Sequence, residues 1–72
     1  MNSVVYGLAK ALVRCKIEMG IYQREDARQR YFAAKDAWVA AVASDAPNLE
    51  WVEVQFGDRV ITVYRDGSMR DL

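Results

Sequence analysis

Nucleophiles and metal ligands are scarce in this chain. Cys15 is its single cysteine, and the chain has no histidine. A Ser, Thr or Cys nucleophile would therefore need a lysine or a carboxylate as its base. Cys15 falls on the apolar stripe of a predicted helix, so we interpret it as a small buried side chain. One Cys without His also excludes an internal disulfide and the common zinc ligand sets.

The acidic residues do not form a recognisable site either. Ten Asp and Glu are scattered along the sequence without the spacing of a metal cage. The adjacent pair Glu25 and Asp26 suits a helix N-terminus better than acid–base catalysis. The segments "FGDR" and "YRDGS" lack the context of phosphate or calcium loops, and we interpret both as turns. The sequence predicts a protein that is not an enzyme and has no cofactor.

Positive charge is concentrated in the first half of the chain. Residues 1–35 contain seven Lys or Arg and three acids, whereas residues 36–72 contain three Arg and seven acids. One candidate basic surface consists of Lys10, Arg14 and Arg28. If Trp51 and Tyr64 also stack on bases, the alternative function is that of a nucleic-acid-binding accessory protein. A net charge of zero makes this alternative less favoured. Alternatively, the positively charged first half of the chain and the negatively charged second half attract each other within the fold or between two copies.

Apolar residues at helical spacing predict two helices. The first runs over about 4–20 and ends at Gly20, or a turn later because Tyr22 continues its stripe. Asp26 and Gln29 resemble a capping box, which predicts a second helix over about 26–43 that ends before Pro47. The two stripes are Val5, Leu8, Leu12, Cys15 and Met19, and then Ala27, Tyr31, Ala34, Trp38, Ala41 and Val42.

Each helix also carries a second apolar ridge. Tyr6, Val13 and Ile17 form it on the first helix, and Phe32 and Val39 form it on the second. A two-layer domain needs each helix to contact both its neighbour and a sheet, so we expect the second ridges to face the sheet. The alternative is that one of these ridges binds a partner.

The C-terminal residues alternate as strands separated by turns. Strands over about 50–56 and 59–65 flank the loop Gly57–Asp58, which pairs Trp51 with Tyr64. Asp66 and Gly67 are typical of a type I′ turn, so residues 68–71 are expected to return as a third strand with Met69 beside Tyr64. The fold class is therefore α+β: a two-layer single domain, residues 1–72, with an N-terminal helical hairpin packed on a C-terminal antiparallel meander of two or three strands.

The sheet face turned away from the helices raises the main functional question. It is predicted to carry Trp51, Val60, Tyr64 and Met69, either as half-exposed cross-strand packing or as an interface. A chain of this length buries only about 60% of its unfolded surface, so an added contact would stabilise it. We expect a protein-binding module that forms a homodimer. Charged residues interrupt every long apolar run, which predicts a cytoplasmic protein without a membrane span.

In size and composition the chain is similar to the small accessory proteins of phages and mobile elements. Many such proteins inhibit or redirect a host protein complex by occupying a surface. This general resemblance implies an inhibitor or adaptor that acts by steric contact, and it assigns no role to any residue.

Overall fold

The computed structural model describes residues 3–71, which form two helices followed by a three-stranded antiparallel sheet of order β1-β2-β3. The elements are α1 (Ser3–Tyr22), α2 (Glu25–Asp45), β1 (Trp51–Phe56), β2 (Arg59–Tyr64) and β3 (Met69–Asp71). The predicted α+β fold, with a helical hairpin on a meander, is confirmed. The third strand also forms.

The first helix continues through Gly20 to the later of its two predicted ends. It ends where Gln23 adopts a left-handed conformation with a φ of 52°. The Gln23 backbone N–H donates a hydrogen bond to the Met19 carbonyl at 3.1 Å, as in a helix C-terminal αL motif. A glycine inside the sequence therefore did not mark the helix end.

The second helix begins without the predicted capping box. Its N-cap is Arg24, which makes no side-chain capping hydrogen bond. Glu25 and Asp26 occupy the first turn, where negative charge is favourable next to the helix dipole. The Arg24 guanidinium lies 3.5 Å from Asp26, so this acid takes part in an ion pair.

The two helices pack directly against each other. Ala27, Ala34 and Ala41 recur every seven residues, and Ala27 is buried. Glu18 and Arg30 form an ion pair of 3.8 Å across the two helices. An ion pair on the surface therefore accompanies the packing of the two helices.

The core lies between the two helices and the inner face of the sheet. The predicted register of β1 with β2 is confirmed, with Trp51 opposite Tyr64 and Phe56 opposite Arg59. This register turns Val52, Val54, Ile61 and Val63 toward the helices. The largest fully buried side chains are Val5, Leu12, Val13, Trp38, Val42, Val54 and Val63.

The second helix lies farther from the sheet than α1 does and reaches it through long side chains. Trp38 is 0% exposed, and its indole N–H donates a hydrogen bond of 2.9 Å to the Tyr64 carbonyl. The second ridge of α2 does not face the sheet, because Phe32 is 48% and Val39 is 39% exposed. The expectation for this ridge was wrong, whereas Val13 and Ile17 of α1 do face Ile61 on β2.

The second hairpin has a longer loop than predicted. The Tyr64 N–H donates a hydrogen bond of 2.8 Å to the Ser68 carbonyl, so residues 65–67 form the loop. Within this loop only Gly67 has a positive φ, which is 90°. A type I′ turn needs positive φ at two residues, so the connection is instead a three-residue loop with glycine in the left-handed position. This loop places Met69 opposite Val63, on the inner face. The prediction of Met69 beside Tyr64 was wrong by one residue.

Local contacts fix the conformation of this loop. The Asp66 carboxylate accepts hydrogen bonds from the Ser68 backbone N–H at 2.9 Å and from its hydroxyl at 2.6 Å. These bonds lower the pKa of the Asp66 carboxyl group. On the other side, the Lys35 side chain lies so close that a Cβ at Gly67 would be 2.8 Å from Lys35 Cγ. Glycine is therefore required here by both φ and space.

We expect Trp38→Phe to lower the free energy of unfolding by about 2–3 kcal/mol, because it removes one buried hydrogen bond and leaves a cavity. Urea unfolding followed by circular dichroism measures the change. Trp51→Phe is the matched control, and its half-exposed ring should change stability by no more than about 0.5 kcal/mol. Equal losses in the two variants would contradict the assignment of Trp38 as the anchor of α2.

Gly67→Ala should destabilise the protein by about 1–2 kcal/mol, because alanine is strained at positive φ and its Cβ meets the Lys35 stem. The same substitution in a Lys35→Ala background separates the two causes. There the steric part should disappear and the conformational part should remain. A Gly67→Ala variant as stable as the parent would show that the loop has another geometry.

Candidate functional site

The candidate site is the sheet face that points away from the helices. We call it the outer face; it consists of Trp51, Glu53, Gln55, Val60, Thr62, Tyr64 and Arg70. Within residues 3–71, both helices pack on the opposite side of the sheet, and no helix covers this one. The outer face is therefore open in the single chain.

Aromatic and aliphatic side chains on this face are only partly buried. Trp51 is 50% exposed, and Val60 and Tyr64 are partly buried. At the centre, Thr62 is only 5% exposed, because the surrounding side chains shield it. Cross-strand packing therefore accounts for part of the aromatic surface, and about half of the Trp51 side chain stays available for contact with another molecule.

The position of Tyr64 is set from the core side of the sheet. Its carbonyl accepts hydrogen bonds from the Trp38 indole and, at 2.9 Å, from the Gly67 backbone N–H. Its side chain points to the outer face opposite Trp51. The pair of aromatics is thus held on backbone that the fold makes rigid, which suits a preformed contact surface.

One residue of this face was missed by sequence reasoning, and one was assigned to it wrongly. The longer loop turns Arg70 outward, opposite Thr62, and turns Met69 inward. The signal that could have identified this is the order of the loop residues Arg65, Asp66 and Gly67, in which glycine occupies the third position of a three-residue loop. The outer face thereby gains a positive charge and loses a methionine.

Opposite charges flank the centre of the outer face. Glu53 on β1 and Arg70 on β3 both lie directly opposite Thr62. Two strand spacings separate them, about 9–10 Å. In the described part of the chain neither side chain has an ion-pair partner within 4.0 Å. The face therefore presents one acid and one base on either side of a buried threonine.

The predicted basic surface is divided between the two helices. Lys10 and Arg14 lie one turn apart on the exposed side of α1, and the Lys10 ammonium is 6.0 Å from the Tyr6 ring centroid. Arg28 lies on α2 near the interhelical turn and is 3.8 Å from Glu25. Arg30 also pairs with acids, Glu18 and Asp26. Among residues 3–71, Arg28 has an acidic partner within 4.0 Å, whereas Lys10 and Arg14 do not.

No second chemical centre is visible in residues 3–71. These residues include no group of three or more His, Cys, Asp or Glu placed to hold a metal ion. Cys15 is partly buried against the core. Among the same residues, neither helix has the length and apolar character needed to cross a membrane.

Comparison of this chain with protein-family models, with curated proteins and with solved structures found no match. The functional assignment therefore depends on the geometry of the chain itself.

Proposed function

We propose that this protein is a small protein-binding module that acts by steric contact and that it forms a homodimer through the outer face. The observation that carries the proposal is Trp51, half exposed on a sheet face that no described element covers. Tryptophan and tyrosine are enriched at the energetic centres of protein interfaces. A helix-free sheet face that presents both is typical of an association surface.

The size of the outer face predicts a weak dimer. Two strands of six residues and one of three, about 4.8 Å apart and at about 3.3 Å per residue, cover about 240 Å² in projection. Stable interfaces bury about 800 Å² on each partner. We therefore expect dissociation constants in the range of about 10 μM to 1 mM. A weak dimer leaves the face free for another protein at low concentration, as an inhibitor or adaptor requires.

The charges of the outer face favour one arrangement of the two copies. If the two-fold axis runs parallel to β2, β1 of one copy lies over β3 of the other. Glu53 of each copy then faces Arg70 of the other, which gives two contacts between opposite charges. If the axis lies across the strands, Glu53 faces the same residue of the second copy, and like charges repel. We propose the parallel axis.

The proposed partners are proteins, with nucleic acid the less favoured alternative. Arg24, Arg28 and Arg30 are paired with acids, and the chain has no net positive charge to attract a phosphate backbone. We propose the cytoplasm as the site of action, where a single unpaired thiol such as Cys15 stays reduced. The target complex of an inhibitory role would be contacted through the same outer face.

Light scattering should show the mass rising from 8.2 kDa toward twice that value as the concentration increases from about 10 μM to 1 mM. Trp51→Ala should keep the protein monomeric over this range, because it removes the largest apolar side chain of the face. Phe32→Ala is the matched control, since Phe32 is a similarly exposed aromatic on α2. A parent protein that stays monomeric would refute the homodimer.

Charge exchange tests the arrangement of the copies. Glu53→Arg and Arg70→Glu should each weaken self-association, because each creates two like-charge contacts in its own dimer. An equimolar mixture of the two variants should restore association, because both contacts then join opposite charges. With the axis across the strands, the parent dimer already has two like-charge contacts, so single variants that associate as strongly as the parent would contradict the parallel axis while leaving self-association itself intact.

A further inference from the structure

A cleft separates α1 from the third strand on the inner side of the sheet. It has a volume of about 190 Å³. Its apolar walls are Val13 and Ile17 of α1, Ile61 of β2 and Met69 of β3. Within residues 3–71, α1 lies over β1 and β2 but not over β3, which leaves the inner side of β3 open. Met69 lines this cleft because the longer second loop turns it inward.

Among residues 3–71, no strand pairs with the backbone groups at the free edge of β3. The Tyr64 N–H bonds to Ser68, so the backbone groups of Tyr64 and Thr62 point toward β3. Along an antiparallel pair, successive residues direct their backbone groups alternately toward the neighbouring strand and away from it. The backbone of Arg70 therefore bonds to that of Thr62, its partner on β2. The N–H and C=O groups of Met69 and Asp71 point away from the sheet. This edge can accept a further strand.

At the other edge of the sheet, α1 lies against β1. The Arg65 N–H donates a hydrogen bond to the Glu50 carbonyl, so the backbone groups of Glu50 point toward β2. Because the direction alternates along β1, the N–H and C=O groups of Glu53 point away from the sheet. There, however, the inner side chains Val52 and Val54 are buried beneath α1. A strand added to β1 would lie beside the part of the sheet that α1 covers, whereas a strand added to β3 would lie beside the cleft.

Charged side chains border the cleft. Lys16 and Arg59 are positive and Asp71 is negative, so the rim has a net charge of +1. Arg59 and Asp71 form an ion pair across β2 and β3, and the Lys16 ammonium lies 5.1 Å from the Tyr31 ring centroid. Lys16 therefore remains the positive group without a carboxylate partner within 4.0 Å among the described residues. A ligand with one negative charge complements this rim.

We infer that the cleft binds an extended peptide segment of a partner protein, which adds to β3 as a fourth strand. One apolar side chain of the segment inserts between Ile17 and Met69, and an acidic side chain beside it faces Lys16. Strand addition with a pocket for alternate side chains is a general mode of peptide recognition. A cavity of about 150 Å³ holds benzene, so the cleft holds one aromatic or branched side chain. The inference rests on the proposed function only in taking a protein as partner.

Selection from a displayed library of random eight-residue peptides tests this inference on the full chain. We expect enriched peptides with alternating apolar residues and an acid, and synthetic copies that bind reversibly. Ile17→Glu should weaken their binding at least about fivefold, as expected for a central apolar contact. Ile21→Glu is the matched control, because Ile21 lies one turn further on α1, exposed and outside the cleft.

A second pair of variants covers the case in which Ile17→Glu fails to fold. Lys16→Glu changes an exposed residue and should weaken the same peptides at least about fivefold, whereas Lys10→Glu, on the same helix, should not. Failure to enrich any peptide would overturn the inference. Binding that is insensitive to both Ile17→Glu and Lys16→Glu would overturn it too.

Backbone methylation tests the added strand directly. Two peptides are compared, each with N-methyl groups on one of the two sets of alternate residues. Methylation of the set whose N–H groups face β3 should abolish binding, and methylation of the other set should preserve it. In amide-exchange measurements, the N–H groups of Met69 and Asp71 should become protected when the peptide is bound, and that of Glu53 should not. Equal tolerance of both methylation phases would contradict strand addition.

The two surfaces can fail independently. Trp51→Ala should leave peptide affinity unchanged, because Trp51 lies on the outer face. Lys16→Glu should leave the concentration dependence of the mass unchanged, because Lys16 lies on the inner side. Loss of peptide binding in Trp51→Ala would show that the peptides bind the outer face and would overturn the cleft as their site.

Discussion

The hydrogen bond from the Trp38 indole to the Tyr64 carbonyl is the contact on which the rest of the structure depends. Helix α2 lies on α1 and meets the sheet mainly through side chains, so this buried bond joins its middle to the end of β2. The same carbonyl closes the second loop by accepting the Gly67 N–H. A buried indole must find an acceptor, and Tyr64 supplies one without breaking the ladder that joins β1 and β2. The bond therefore fixes the helices, the loop and the backbone of an outer-face aromatic together.

The length of the second loop decides which residues each surface presents. With three residues rather than two, the loop turns Met69 toward α1 and Arg70 outward. A shift of one residue exchanges the two faces of a strand, so this single change gives the cleft its methionine and the outer face its positive charge. Gly67 makes the change possible, because it tolerates positive φ and leaves room for Lys35. The loop therefore couples the composition of the two candidate surfaces.

Periodicity in the sequence predicted the elements, their order and the first register, because apolar spacing and a two-residue glycine loop are local signals. It did not predict the exposure of Phe32 and Val39, because that exposure depends on how far α2 lies from the sheet, which is a tertiary property. The type I′ assignment for Asp66 and Gly67 failed because the same dipeptide also ends a three-residue loop that begins at Arg65. For the candidate site, Trp51, Val60 and Tyr64 were placed correctly on the outer face, and Arg70 was missed for the same reason that Met69 was misplaced.

Self-association through the outer face is the central claim, and fluorine NMR of the unmodified sequence labelled with 5-fluorotryptophan tests it most directly. The two tryptophans give one signal each, and the buried Trp38 serves as an internal reference. If the outer face joins two copies, the Trp51 signal shifts as the concentration rises from about 10 μM to 1 mM, and the Trp38 signal stays in place. A Trp51 signal that does not move over this range would contradict the account.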